Sequence, residues 1–202
     1  MKSDEDLVAE VIEGAVDGGM GVAVLLRKCR LLSHSLQNDS LKEWVLKELN
    51  GYDNWKKLPN YRIIRVGAKG FFIGPFQSQL NNQPLASFIL KKEHRVFAEK
   101  AFLSEPASAY ENLKDEGGEG YRIEWPGNLV ALYQSSFFDG YALNRAWQDI
   151  PVHSMKIVPE TVKNRILEFM LSINKEFGNK IGEKRLEVSN FIDSTIGDIL
   201  KS

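Results

Sequence analysis

The spacing of apolar residues changes twice along this chain, and those two changes restrict its architecture more than any single motif does. Over the first fifty residues the spacing is helical. Leu7, Val8, Val11, Ile12 and Ala15 recur on one face with acids between them, and Gly18-Gly19 stops the pattern. Val22, Leu25, Leu26, Cys29, Leu32 and Leu36 line one face of a second predicted helix, with Arg27, Arg30 and His34 in a narrow arc on the other. A third is predicted from Ser40, where Ser40 and Glu43 match the S-x-x-E capping box. It buries Leu41, Trp44 or Val45, and Leu49, and ends at Asn50-Gly51, where glycine supplies a left-handed turn.

After Leu58-Pro59-Asn60 the spacing becomes strand-like, from Tyr61 to Val66 and on through Gly67 and Gly70 to Ile73. Glycines inside such a run predict a bulge or a close backbone approach. Residues 74–86 read as a loop with a short strand from Phe76 to Leu80, and 86–103 as either a helix or an edge strand pair. Pro106 opens a short helix, Lys114 to Gly120 is a polar turn, and Tyr121 to Trp125 alternates as a strand. Pro126 then starts a helix reaching about Phe137, and Ala142 to Trp147 is extended. The helical spacing returns from about Pro159 to Phe177, with Val162, Ile166, Phe169, Met170 and Ile173 in one stripe, and again over residues 183–200.

This order predicts an α+β fold: a three-helix N-terminal segment, a small twisted and mostly antiparallel sheet, and long C-terminal helices. The expected division is a domain over 1–178 and a helical tail over 179–202. At 202 residues, 43% hydrophobic and 26% charged, the chain has the composition of a globular domain. No apolar run approaches the roughly 18 residues of a spanning helix, and Asp4, Glu5 and Asp6 stand where a secretory signal would be basic, so no membrane is expected and the cytoplasm is the expected compartment. The net charge of -1 hides an asymmetry: residues 1–17 carry -5, 18–100 carry +8, 101–162 carry -5 and 163–202 carry +1. The basic central half is a candidate face for an anionic partner.

Candidate chemistry is sparse. Arg27 and His34, with six residues between them, have the residue types to hold a phosphodiester and move a proton. The spacing resembles the R-x(4–6)-H motif of HEPN ribonucleases, but those are helical bundles and the strands argue against that fold. Arg27, Lys28, Arg30 and His34 are therefore the candidate nucleic-acid face. Trp44, Glu48, Asn50, Tyr52, Tyr61 and Arg62 form a second candidate, for a ligand or partner, with Trp55 adding a further aromatic ring. The competing reading is a packing seam in which Arg62 ties down helix carbonyls or the Glu48 carboxylate. Cys29 lies mid-helix on an apolar face, where burial raises its pKa, and it is the one cysteine, so neither a disulfide nor a Cys-rich zinc site is available. The glycines around Gly18 precede a helix without following a strand, and Lys69-Gly70 has no phosphate-loop context. No metal and no cofactor is expected. The stripe of Leu186, Phe191, Ile192, Ile196, Ile199 and Leu200 either folds back or serves as an oligomer or partner helix.

Several separated segments carry a wider likeness. Leu25-Leu26-Arg27-Lys28-Cys29, Leu41-Lys42-Glu43-Trp44, Glu48-Leu49-Asn50-Gly51-Tyr52, Leu58-Pro59-Asn60-Tyr61-Arg62, Trp125-Pro126, Leu129 to Gln134, Ala146 to Pro151 and Arg165 to Phe169 occur in this order. Together they make the chain, over about residues 5–177, resemble the AbiTii domain of bacterial abortive-infection proteins. The resemblance implies a component of antiphage defence and carries over no catalytic residue. It leads to the expectation of a non-enzymatic interaction, sensing or oligomerisation module, with a second copy or a separate defence effector as partner. The alternative is a nucleic-acid-binding or RNA-cleaving protein acting through Arg27, Arg30 and His34.

Overall fold

The computed structural model describes residues 2–114 and 120–200, with the side chains of Ile199 and Leu200 outside the description. The central part of the turn expected over Lys114 to Gly120, residues 115–119, also lies outside the described residues. The chain forms two compact units, one of Met1–Arg62, Ser104–Leu113 and Lys156–Ser202, the other of Ile63–Leu103 and Lys114–Met155. The architecture is α+β, as the changes of period predict.

The first unit is helical. Helix α1 (Asp4–Val16) opens on a capping box: the Ser3 hydroxyl accepts from the Asp6 amide at 3.1 Å, and the Asp6 carboxylate accepts from the Ser3 amide at 3.3 Å. Asp4, Glu5 and Asp6 also place negative charge at the positive end of the helix dipole. Helix α2 (Val22–Ser35) buries Leu25, Leu26, Cys29 and Leu32 completely, as its spacing requires. Helix α3 (Asp39–Asn50) starts earlier than expected. Its cap is Asn38, not Ser40, because the Asn38 carboxamide oxygen accepts from the Leu41 amide at 2.7 Å. The Asn38 amide nitrogen meanwhile donates to the Ser189 carbonyl, the Ser189 hydroxyl and the Asp193 carboxylate on α7 (Arg185–Leu200). Glu43 pairs with Lys47 at 2.5 Å. At the other end of α3, Gly51 takes φ of +91°, and a Cβ there would lie 2.8 Å from the Ser104 carbonyl oxygen.

Helix α6 (Val152–Phe177) begins seven residues before the expected start at Pro159, and residues 156–177 belong to the first unit. The apolar stripe runs back through Val158, Met155 and Val152, all buried, so packing continues the helix upstream of the proline. Pro159 lacks the amide hydrogen that would pair with the Met155 carbonyl, a loss the buried stripe outweighs. Helix α7 buries Val188, Ile192 and Ile196. The boundary expected between residues 178 and 179 thus falls inside this unit.

The second unit carries the strands. A four-stranded antiparallel sheet has the order β3-β2-β6-β5, from β2 (Ala68–Ile73), β3 (Gln79–Leu85), β5 (Tyr121–Glu124) and β6 (Ala142–Ile150). Separately, β1 (Ile63–Arg65) pairs antiparallel with β4 (Lys100–Phe102). The continuous run expected from Tyr61 to Ile73 is therefore two strands in two sheets, with the change at Val66-Gly67. Gly70 is the close approach its position predicts: an added Cβ would sit 2.7 Å from a Leu143 methyl, and the register slips between Gly70 and Phe72. Phe72 is fully buried at the centre, edge-on to Phe138 with ring centroids 4.9 Å apart. Two short helices, α4 (Val96–Glu99) and α5 (Gly127–Leu132), flank this core, and the Trp125 indole donates to the Phe97 carbonyl at 2.8 Å.

Candidate functional site

Glu48 is the third residue from the C-terminal end of α3's twelve, on the face that also buries Leu41, Trp44 and Val45. A carboxylate at such a position must find donors, since an isolated buried charge is expensive. Four side-chain donors supply them. The Tyr52 and Tyr61 hydroxyls donate to its Oε1 at 2.6 and 2.7 Å, and Arg62 adds Nε to the same oxygen at 3.2 Å and Nη2 to Oε2 at 2.5 Å. The remaining fork nitrogen of Arg62, Nη1, donates to the Glu105 carbonyl at 2.8 Å. Both Glu48 and Arg62 have zero side-chain exposure.

Local structure delivers each partner. Tyr52 follows the Gly51 turn, where its amide is tied to the Ser104 carbonyl at 2.8 Å. Tyr61 and Arg62 lie on a single 3-10 turn, Asn60–Arg62. From α6, the Arg165 guanidinium stacks over the Tyr61 ring at 4.5 Å, and Arg62 lies over the Tyr52 ring at 4.9 Å. Segments 48–52 and 58–62 thus meet at one carboxylate, and the distant segment 165–169 joins them through the Arg165 stack on Tyr61.

The electrostatics follow from this closure. Burial raises the pKa values of Tyr52 and Tyr61 well above the usual phenol value, and the adjacent Glu48 charge raises them further. For Arg62, burial works against the charged form, but the Glu48 carboxylate outweighs it and the pKa rises. Of the two ties that the packing-seam reading offered Arg62, to helix carbonyls or to Glu48, the one to Glu48 is present. Asn50, grouped with these residues in the sequence, is exposed.

Beside this network is an open cleft of about 200 Å³, lined by Trp44, Lys47, Tyr52, Lys57, Leu58 and Pro59, with Glu43 at its edge. Tyr52 belongs to both: its hydroxyl is committed to Glu48 and it also lines the cleft. Trp55, 49% exposed, precedes the Lys57 wall, and the Lys56 ammonium lies 5.5 Å from its ring centroid.

The basic face of α2 is less coherent than its spacing suggested. Arg27 and His34 are exposed on the same side of the helix. Arg30 is half-buried and donates to the Ser33 hydroxyl at 3.3 Å, while Lys28 is paired with Glu10 at 2.8 Å. Cys29 is fully buried, which pushes its thiol up to about 12, out of nucleophile range. Among the described residues no group of three or more His, Cys, Asp or Glu is placed to hold a metal ion, and no helix is long and apolar enough to cross a membrane.

On α7, Ile192 and Ile196 are buried in the first unit and Phe191 packs edge-on against Phe177, centroids 5.6 Å apart. Leu186 is 75% exposed, while Ile199 and Leu200 lie outside the described side chains. Sequence reasoning missed Arg165, whose one signal was its place in the last shared segment.

The AbiTii family model matches residues 6–190 of the chain. No curated protein and no solved structure matches it.

Proposed function

The chain belongs to the AbiTii family, which points to an abortive-infection phage-defence protein, and from that premise we propose that it acts as a non-enzymatic interaction module of such a system. The observation that carries this reading is the convergence on Glu48. Segments that mark the family come together there, and their ionisable groups are spent on one another, Glu48 and Arg62 at zero exposure, instead of facing a substrate. A network of this kind fixes a surface. The surface it fixes is the adjoining cleft, whose Trp44 and Tyr52, with Trp55 exposed beside it, supply the aromatic anchors of a protein-binding hot spot. The partner is a second copy of the chain or a separate defence effector.

Phage plating on cells carrying the gene, together with light-scattering mass of the purified protein, tests this. Trp55→Ala and Lys57→Glu are expected to abolish protection and lower the assembled mass while leaving the melting temperature within about 2 °C, because surface changes seldom alter stability by more than ~0.5 kcal/mol. Full protection and unchanged mass in both variants would overturn it. The exposure of Arg27 and His34 on one side of α2 favours a second reading, nucleic-acid binding. That reading requires RNA binding that falls steeply with salt as counterions are released, and its loss in the double substitution Arg27→Ala, His34→Ala.

A further inference from the structure

A second concavity in the first unit lies between α1 and α2, with Arg185 at the start of α7 on its wall. Its volume is about 550 Å³, within the range of small-molecule pockets, and although most of its lining residues are polar or charged, the surface they expose to it is mainly carbon. Leu7 of α1 forms buried lining, and Leu31 of α2 contributes a side chain that is 61% exposed. A leucine left open inside a concavity of that size marks a surface that gains by being covered.

The charges around it are unequal. Arg185 answers the buried Asp4 one to one, Nε to Oδ2 at 2.8 Å, and that pair is neutral. Glu10 is shared: its carboxylate pairs with both Lys2 and Lys28. Those two ammoniums hold its carboxyl down to about 2, so it stays ionised near neutrality, and among the residues lining the groove three cations, Lys2, Lys28 and Arg185, face two carboxylates, Asp4 and Glu10. His34 lines the groove at the α2 end, offering a ring nitrogen.

We propose that this groove binds an amphiphilic monoanion, a molecule with an apolar body and a single carboxylate or sulfonate head. The body covers Leu7 and Leu31, and the head joins Glu10 at the two lysines, taking up the unanswered charge. A cation meets the same excess as repulsion. A polyanion such as a nucleic-acid strand meets the Glu10 and Asp4 carboxylates with one surplus charge to draw on. The site shares no residue with the Trp44 to Pro59 cleft and stands or falls independently of the partner reading.

The test uses the full chain and 1-anilinonaphthalene-8-sulfonate fluorescence, with displacement by decanoate, decanol and decyltrimethylammonium below their micellar concentrations. Decanoate is expected to displace the probe at least about tenfold better than decanol, and decyltrimethylammonium not at all. Lys28→Met should remove that tenfold preference, Lys28→Arg should retain it, and Leu31→Asp should weaken decanoate and decanol together. Trp55→Ala should leave all displacement curves unchanged. Equal displacement by decanoate and decanol, no displacement by either, or a preference that survives Lys28→Met in a chain that melts normally would overturn the proposal.

Discussion

Two carboxylates in this molecule each hold more than one donor, and they do so in opposite surroundings. Glu48, in the helical unit, is completely buried among two tyrosine hydroxyls and one arginine. Asp149, on β6 of the sheet unit, is shared by Lys69 at 2.8 Å and Arg122 at 3.1 Å, with both cations more than 40% exposed. Glu48 accepts four side-chain bonds and Asp149 two, and the consequence differs more than the count. In water-poor surroundings a missing partner leaves a charge with nowhere to go, whereas on a sheet face water takes its place. The first arrangement fixes a unique packing. The second orders a surface.

The sharpest way to break this comparison is Glu48→Gln. The substitution keeps the volume, removes the charge and leaves the Arg62 guanidinium buried without its counter-ion. A loss of about 3–5 kcal/mol is expected, read as a fall in the denaturant midpoint. A change below about 1 kcal/mol would mean that Arg62 reaches water and that the network is not closed.

A smaller effect belongs to the hydroxyls. Tyr61→Phe removes one donor to a charged acceptor and should cost about 1.5–3 kcal/mol. It should also change the alkaline limb. Burial, then the Glu48 charge, raise the folded pKa of Tyr61, while the unfolded chain ionises near the ordinary phenol value of about 10. The stabilisation is therefore complete below about pH 10 and is lost as pH rises toward the folded value, because only the unfolded state releases its proton there. Unfolding followed between pH 8 and 11 should show a steeper decline for the parent chain than for Tyr61→Phe. Parallel curves would remove Tyr61 from the network.

How far the sequence revealed these two sites differs for a physical reason. The α+β order and most of the helices were legible from apolar spacing, and the Arg62 to Glu48 tie was one of two alternatives the packing-seam reading offered, the other being a tie to helix carbonyls. Asn38 as the cap of α3 was not, because the choice over Ser40 depends on the Ser189 and Asp193 groups more than 150 residues away. The early start of α6 was hidden by reading Pro159 as a first turn, although Val152, Met155 and Val158 continue the buried stripe. The final helix stripe read equally well as an external contact, and only packing places Ile192 and Ile196 inside. The Asp149 ladder was invisible, since it requires the register Arg122 to Asp149 across β5 and β6 and the neighbouring pairing of β2 with β6. Intra-helix relations can be counted along a chain; register cannot.

That ladder gives the smallest expected effect and the clearest contrast. Burial pushes the Asp149 carboxyl up, but Lys69 and Arg122 outweigh it and hold the pKa below the usual aspartate value of about 3.9. A depressed acid stabilises the fold above its unfolded pKa and loses that contribution as pH falls, so this site weakens on the acid side, opposite to Tyr61. Because Lys69 and Arg122 are exposed, Asp149→Asn should cost only about 0.2–1 kcal/mol at low salt. The difference from the parent chain should shrink toward zero in 1 M salt, where the Debye length is about 3 Å. Arg122 stays stacked over Trp147, 5.0 Å from the ring centroid, and that contact does not depend on the carboxylate. A penalty that persists undiminished in 1 M salt would place Asp149 with Glu48 as a charge the fold depends on, and the two carboxylates would then differ in exposure but not in kind.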